Sequence, residues 1–320
     1  MGQPSQSDVH VSRPLTNILT AYMQRDENFI ATKVFPIVPV DKQTDKYFTF
    51  SKNDWLRDEA QLRADSSESA GSGFSVSTDS YTCDVFAHHK DVGNQVLANA
   101  DAPLNLERAA VNFVGKKLLL RQEIQWVTDA FATSIWGTDK TVDTQWNDAN
   151  SDPIRDVEDG KETVLSNTGY EPNTLVLGYS VFKNLKLHPD IIDRIKYTQG
   201  GGVKGKTITP ELLAAMFDVE RVLVAKAIKA TNKEGETAAT SFTHGKHALL
   251  AYVAPNPELL EPSAGYTFSW RGVSEGLGAD VAVRAIDMPL KKATRYEGET
   301  AFDNKIVGTD LGYFFGSVVA

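Results

Sequence analysis

The hydrophobic pattern changes its period several times along the chain, and each period predicts a different element. Over residues 102 to about 132, Val111, Val114, Leu118, Ile124, Val127 and Phe131 recur at helical spacing. Asp101 is a suitable N-cap there, Pro103 sits near the first turn, and Gly137 lies just past the end. A helix of about 30 residues would span on the order of 45 Å. Upstream the period falls to two. A strand is predicted near Lys46 to Phe50, and a second from Phe74 to about Ala87 with Tyr81, Cys83, Val85 and Ala87 on one face. Together they predict a long hairpin over residues 41–92.

Downstream, Thr174 to Leu177 predicts a buried strand, and Val181 to Leu187 and Pro189 to Tyr197 predict two short helices. Thr209, Pro210 and Glu211 open another helix that ends near Phe217. Arg221 to Ala225 and Ala248 to Val253 read as strands. From Tyr266 onward strands dominate, at Thr267 to Arg271, Val281 to Ile286, Lys291 to Tyr296 and Lys305 to Phe315. Helices and strands segregate along the chain, so the predicted class is α+β.

Two regions break the pattern. Residues 1–40 form an arm interrupted by Pro4, Pro14, Pro36 and Pro39, with one short helix predicted at Leu15 to Met23. Its apolar residues Ile18, Leu19, Tyr22, Phe29 and Phe35 need a surface to lie on. Residues 138–170 are polar, with one short helix predicted over Pro153 to Leu165.

Composition adds limits. The 320 residues are 41% hydrophobic and 23% charged, so a folded core is expected rather than disorder throughout. A net charge of -9 argues against tight binding of nucleic acid over a broad face, though not against enclosing it. Cys83 is the single cysteine, so no intrachain disulfide forms. No signal-peptide pattern opens the chain and no apolar run is long enough to span a bilayer.

Several motifs imitate chemistry. Gly200-x-x-x-x-Gly205-Lys206-Thr207 matches a phosphate-binding P-loop letter for letter. A P-loop needs a strand before it and a helix directly after, whereas a helix is predicted before it and the next helix opens only at Thr209-Pro210. A nucleotide hydrolase stays an alternative, tested by ATP turnover lost in Lys206→Ala. Asp148, Asn150 and Asp152 open like a calcium loop. The position that needs glycine is Pro153, and position twelve is Asp159 where glutamate is expected. Asp152 is expected to cap the helix begun by Pro153. His88 and His89 are adjacent in a strand and point to opposite faces, so they do not share a metal. Nothing near Cys83 suggests an activated thiol. No catalytic residue, metal ligand or cofactor is assigned.

The order of these elements resembles the major capsid proteins of tailed bacteriophages, the Hong Kong ninety-seven fold family. The arm is followed by a hairpin like the family's E-loop, then by a helix like its spine helix. The run NTLVLGYSVFKNLKLHPDIIDRIKY (173–197) is similar to the start of the family's axial domain, and GGVKGKTITPELLAAMFDVERVLVAKAIKAT (201–231) and HALLAYVAPNP (247–257) to its continuation. The resemblance covers nearly the whole chain and rests on the combination, since no single motif is diagnostic. It implies an N-terminal arm at 1–40 and an extended hairpin at 41–92. It further implies a peripheral domain at 93–137 and 256–304, and an axial domain at 138–255 and 305–320.

By that resemblance the chain is not an enzyme. It would assemble with copies of itself into pentamers and hexamers of an icosahedral shell around double-stranded DNA, in the host cytoplasm, ending in the virion. A separate scaffolding protein and a portal are implied partners, a decoration protein is a further one, and no membrane is involved. If Met1 is native, no large segment is cleaved from the precursor shell; Lys52 lies in the first arm of the hairpin, so covalent cross-linking is not expected. At the hairpin tip, Arg57, Asp58, Glu59, Arg63 and Asp65 are candidates for intersubunit ion pairs, with Trp55 and Leu56 as apolar anchors. The other reading is a solvated tip, where exposed pairs contribute about 0 to 1 kcal/mol each. A cellular encapsulin-like compartment and a non-capsid virion component such as a decoration protein are the remaining alternatives.

Overall fold

The computed structural model describes residues 24–100, 105–198, 208–256, 261–273 and 283–320. The helix predicted at Leu15 to Met23, the proposed cap Asp101 with Pro103, and the Gly200 to Thr207 motif lie outside these residues. In chain order the elements begin with α1 (Ala31–Val34), β1 (Ile37–Val40), β2 (Thr44–Phe50), α2 (Lys52–Leu56), β3 (Val76–Thr82), β4 (Asp84–Gly93) and α3 (Asn94–Ala98). Then come α4 (Leu106–Ala130), β5 (Thr138–Thr141), α5 (Pro153–Thr168), β6 (Thr174–Gly178), α6 (Tyr179–Leu185), α7 (Pro189–Thr198) and α8 (Pro210–Phe217). Beyond these, the described elements are strands apart from 3-10 turns at Pro289–Lys291 and Thr309–Leu311: β7 (Arg221–Ala225), β8 (Ile228–Ala230), β9 (Thr240–Phe242), β10 (Ala248–Ala251), β11 (Gly265–Trp270), β12 (Val283–Met288), β13 (Ala293–Ile306) and β14 (Gly312–Gly316).

Two five-stranded sheets organise the molecule. In the first, β13 is central: β4 runs antiparallel along one edge of it, β11 and β12 share the other, and β1 adds parallel to β11. Helix α4 lies across this sheet. It can approach closely because β13 carries Gly298, where a Cβ would come within 2.9 Å of Val114 and Leu118. The second sheet has the order β5-β14-β10-β6-β7. Strands β6, β10 and β14 are buried along their whole length, which explains their continuous apolar sequence. Leu175, Leu177, Leu250 and Phe315 face a core made with α5 to α8. Val176, Leu249 and Phe314 face a second core that holds Trp126 of α4 and Phe35 of the arm. Gly160 lets α5 press onto β14, since a Cβ there would sit 3.1 Å from the Phe315 ring.

Local chemistry agrees with most expected boundaries. Asp152 accepts from Arg155 N at 3.0 Å and so caps α5. Thr209 caps α8 through Leu212 N. Lys161 of α5, almost wholly buried, donates to the terminal carbonyls of Phe217 and Asp218 at 3.4 and 3.0 Å and so closes the other end of α8. It also pairs with Glu171 at 3.0 Å.

Several expectations are corrected. The long helix starts at Leu106 behind the cap Asn105, which accepts from Arg108 N at 2.9 Å, and its 25 residues span about 37 Å. The strand predicted from Phe74 to Ala87 is two strands divided at Cys83. The chain there leaves β2 and joins β13, and the buried face changes. Tyr81 and Cys83 are buried, but Val85 and Ala87 are exposed while Phe86 and His88 turn inward. The strand predicted at Lys291 to Tyr296 starts only at Ala293, after a 3-10 turn at Pro289–Lys291, and runs 14 residues to Ile306, because β4 pairs along most of it. The segment Lys305 to Phe315 is divided by a 3-10 turn at Thr309–Leu311. Polar Thr138–Thr141 forms a strand parallel to β14, and β8 and β9 form a small hairpin that the sequence pattern did not predict. Finally, the described part of the arm lies on its own body: Phe29, Ile30, Val34 and Phe35 are buried against α4 and the second sheet.

Candidate functional site

The least supported element is the β2–β3 hairpin. Its strands pair from Thr44↔Thr82 to Phe50↔Val76, and β3 is exposed except at Tyr81. Tyr81 and Tyr47 fix the base by packing on Phe268, with ring centroids 4.5 and 5.5 Å away. Along the ribbon, Tyr47 Oη donates to Asp79 Oδ2 at 2.9 Å, and Thr49 and Ser77 hydroxyls meet at 2.6 Å. Isolated two-stranded ribbons are marginal in water.

The far end is apolar and open. Phe50, Trp55 and Phe74 form a triangle with ring centroids 5.7 to 6.3 Å apart. Trp55 and Phe74 nevertheless stay 58% and 61% exposed, and Leu62 is wholly exposed. Asp54 fastens the triangle by accepting from Ser75 N at 2.8 Å and Ser75 Oγ at 2.7 Å, bonds that also hold its carboxyl below the usual range. Lys52 reaches the body through an ion pair with Asp310.

The structure places the sequence-predicted tip residues as follows. Trp55 and Leu56 end α2 and are exposed. Arg57 pairs with Glu59 at 3.2 Å, and Arg63 Nε donates to Ser67 O at 2.6 Å. Asp58 and Asp65 are exposed and make no ion pair with any described residue. Sequence reasoning missed Phe48, Phe50, Leu62 and Phe74, which extend the apolar surface. The readable signal was three large apolar residues beside the polar, glycine-rich stretch.

A second group of side chains ties the arm to the body. Gln24 brackets Ile228, donating to its carbonyl at 2.6 Å and accepting from its N–H at 2.9 Å. Glu123 of α4, fully buried, accepts from Ile30 N and Ala31 N at 3.0 and 2.9 Å. Burial pushes its carboxyl up to about 7, against the pull of those two N–H groups and Lys33. His244 Nε2 lies 3.7 Å from Glu123 Oε1, and burial pushes this imidazole down to about 3. The Thr243 hydroxyl donates to Ala227 O, so it accepts from His244 Nδ1 at 2.9 Å, leaving Nε2 bare toward the carboxyl.

The motifs that imitated chemistry are absorbed by structure. Asp148 Oδ1 accepts from Asn150 N at 2.9 Å, and Asp156 receives Trp146 Nε1 at 2.8 Å and Lys140 at 3.3 Å, so these acids are engaged by the protein itself. No cluster of three or more metal-ligating side chains occurs among the described residues. Ser151, His188 and Asp190 approach a hydrolytic arrangement. The Ser151 hydroxyl, however, donates to Asp148 O at 2.7 Å and is buried, so His188 Nε2 is a donor and no base faces the serine. The Cys83 thiol is pushed up to about 11 by burial, which leaves it inert. The segment carrying the P-loop pattern is flanked by helices α7 and α8, not by a preceding strand.

No protein-family model matches the chain. It is 29% identical over 336 residues to a major capsid protein of Burkholderia phage BcepMu, covering 99% of both chains. It is 24% identical to one of Pseudomonas phage JBD67, with the same coverage. Among solved structures, a phage-related protein from Bordetella bronchiseptica RB50 superposes with a TM-score of 0.69 at 24% identity, over 92% of this chain and 94% of that one. The capsid of Cyanophage P-SCSP1u gives 0.63 at 10% identity, over 97% and 93%. An encapsulin from Synechococcus elongatus PCC 7942 gives 0.54 at 14% identity, over 96% and 95%.

Proposed function

We infer that this chain, which has the Hong Kong ninety-seven capsid fold, is the major capsid protein of a tailed phage: a structural subunit of an icosahedral shell around double-stranded DNA. Full-length similarity to phage major capsid proteins carries this reading. The geometry supports it independently. A hairpin that leaves Trp55, Leu62 and Phe74 in water gains stability only when another surface covers its end. A second copy of the chain supplies such a surface, and head-to-tail contacts of this kind close into rings. Many modest contacts then hold a shell by multivalency.

Within the proposal, residues 1–40 are the arm and 41–92 the E-loop. Residues 93–137 and 256–304 form the peripheral domain around the first sheet and α4. Residues 138–255 and 305–320 form the axial domain around the second sheet. Pentamers and hexamers, a scaffolding protein, a portal, a decoration protein and assembly in the host cytoplasm belong to the same reading. Trp55, Leu56, Arg57, Asp58, Glu59, Arg63 and Asp65 are its intersubunit contacts, and Phe50, Leu62 and Phe74 join them.

The encapsulin likeness keeps one rival in view, a compartment built from the same fold to hold protein cargo. Electron microscopy of the protein, expressed with and without its neighbouring genes, separates the two. Closed shells, tubes or five- and six-membered rings are expected, with DNA as the content when the neighbouring genes are present. Monomers or dimers alone, under both conditions and across salt and concentration, would overturn the shell reading.

A further inference from the structure

Along α4 and β4 the acidic chain carries a strip of cations that make no ion pair with any described residue. Helix α4 exposes four charged side chains, and three are basic: Arg108, Lys117 and Arg121 against Glu107. Lys117 and Arg121 are one helical turn apart, about 6 Å. Beside them runs the edge strand β4. Register decides which of its side chains face the helix. Gly298 points at Val114 and Leu118 of α4 and pairs with His88, so Phe86, His88 and Lys90 share the helix side. The acids Glu297 and Glu299 fall on the opposite side of the sheet.

Aromatic rings hold the cations in place. Arg121 lies over the Phe86 ring at 4.7 Å and Lys117 over Phe113 at 5.4 Å. Phe113 itself is 41% exposed, and the His88 ring lies tilted beside it at 5.7 Å. Lys90, Lys117 and Arg121 make no ion pair with any described residue. The His88 imidazole is held below its usual range by burial first and then by Lys117 and His89.

We propose that this strip of α4 and β4 is the surface that meets the enclosed DNA, through Lys90, Lys117 and Arg121 on its phosphodiester backbone. The proposal rests on the shell reading and adds which face of the subunit looks inward. Adjacent phosphates on one strand rise 3.4 Å along the axis and, with helical winding, lie roughly 7 Å apart through space, which matches the Lys117–Arg121 spacing. The Arg121 guanidinium, held over Phe86 and by Nη2 donating to Gln125 Oε1 at 2.6 Å, keeps further N–H groups for phosphate oxygens. With only three cations the strip positions the duplex without gripping it, which fits the net charge of -9. Backbone contacts of this type carry no base readout.

The test uses the full-length unassembled protein and a random-sequence duplex, with affinity measured as a function of salt. The expected log–log slope becomes shallower by about two units in Lys117→Gln/Arg121→Gln, since each phosphate contact contributes about 0.9. Lys226→Gln/Lys246→Gln, which removes two exposed cations elsewhere, should leave the slope unchanged. An unchanged slope in the first pair, or an equal loss in the second, would overturn the assignment. So would a polyglutamate chain that binds the native strip as tightly as duplex at equal charge, because the occupant is then an acidic protein segment. Shell formation, read by microscopy on the same variants, is a separate outcome: shells without the slope change sink only the strip, and no shells from the parent protein sink the shell reading.

Discussion

At Glu123 and His244 a carboxyl and an imidazole are sealed in the core between the arm and α4, and both titrate away from their ordinary values. Glu123 rises from 4.5 to about 7 and His244 falls from 6.5 to about 3. Between about pH 4.5 and 6.5 the unfolded pair carries one proton, on the imidazole. The native pair also carries one, on the carboxyl. Folding therefore moves a proton across the pair, and its contribution to stability is flat over that window. Below pH 4.5 the unfolded chain binds a second proton that the native state refuses until about 3, so stability falls with falling pH. Above 6.5 the unfolded pair is empty while Glu123 holds its proton to about 7, so stability falls slightly with rising pH. Glu123→Gln removes one titration. Relative to the parent it should gain stability with rising pH by about 1.4 kcal/mol per unit between 4.5 and 6.5. Urea unfolding at several pH values checks this, and a variant parallel to the parent throughout the window would show that the carboxyl is already ionised in the native core. Glu123→Ala should be about 1–3 kcal/mol less stable than Glu123→Gln at any pH, since it strands Ile30 N and Ala31 N.

Among the elements, the contact of α4 with β13 is the most sensitive to a single atom. A Cβ at Gly298 would press on Val114 and Leu118 at 2.9 Å. Gly298→Val should therefore lift the helix and cost about 1–3 kcal/mol, read as a lowered denaturation midpoint with an unchanged m-value. Gly115, on the same helix, has nothing within 4 Å of its Cβ position. Gly115→Ala should be neutral or stabilising by up to about 1 kcal/mol, because alanine is the better helix former. Equal losses at both glycines would mean that the helix seat does not limit stability there.

For the whole molecule, the hairpin tip separates assembly from folding. Trp55 and Phe74 touch each other and Phe50 but little of the body. Trp55→Ser/Phe74→Ser should leave monomer unfolding within about 0.5 kcal/mol of the parent, as exposed positions do. It should also shift the concentration at which shells or rings form upward by tenfold or more, as loss of aromatic anchors at an interface predicts. Sedimentation velocity over a concentration series measures the second quantity. Assembly unchanged in the variant would remove the tip from the interface and return it to a solvated loop.

The sequence by itself determined those elements whose signal is local. Period-3.6 apolar spacing marked α4, side-chain caps marked α5 and α8 at Asp152 and Thr209, and continuous apolar runs marked β6 and β10. The hairpin and its charged tip were legible as well, because alternation and turn residues act over short distances. Tertiary structure alone decided the rest. Only pairing with β13 makes the chain change faces at Cys83, and only pairing with β4 and then β11 extends β13 through Glu297 to Ile306. Polar Thr138–Thr141 becomes a strand because β14 offers it an edge. Glu123 and His244 are 121 residues apart and look ordinary until the fold strips water from both. Likewise, the Lys90, Lys117 and Arg121 strip is invisible in a chain of net charge -9, because charge adds along the sequence while a surface potential depends on which residues share a face.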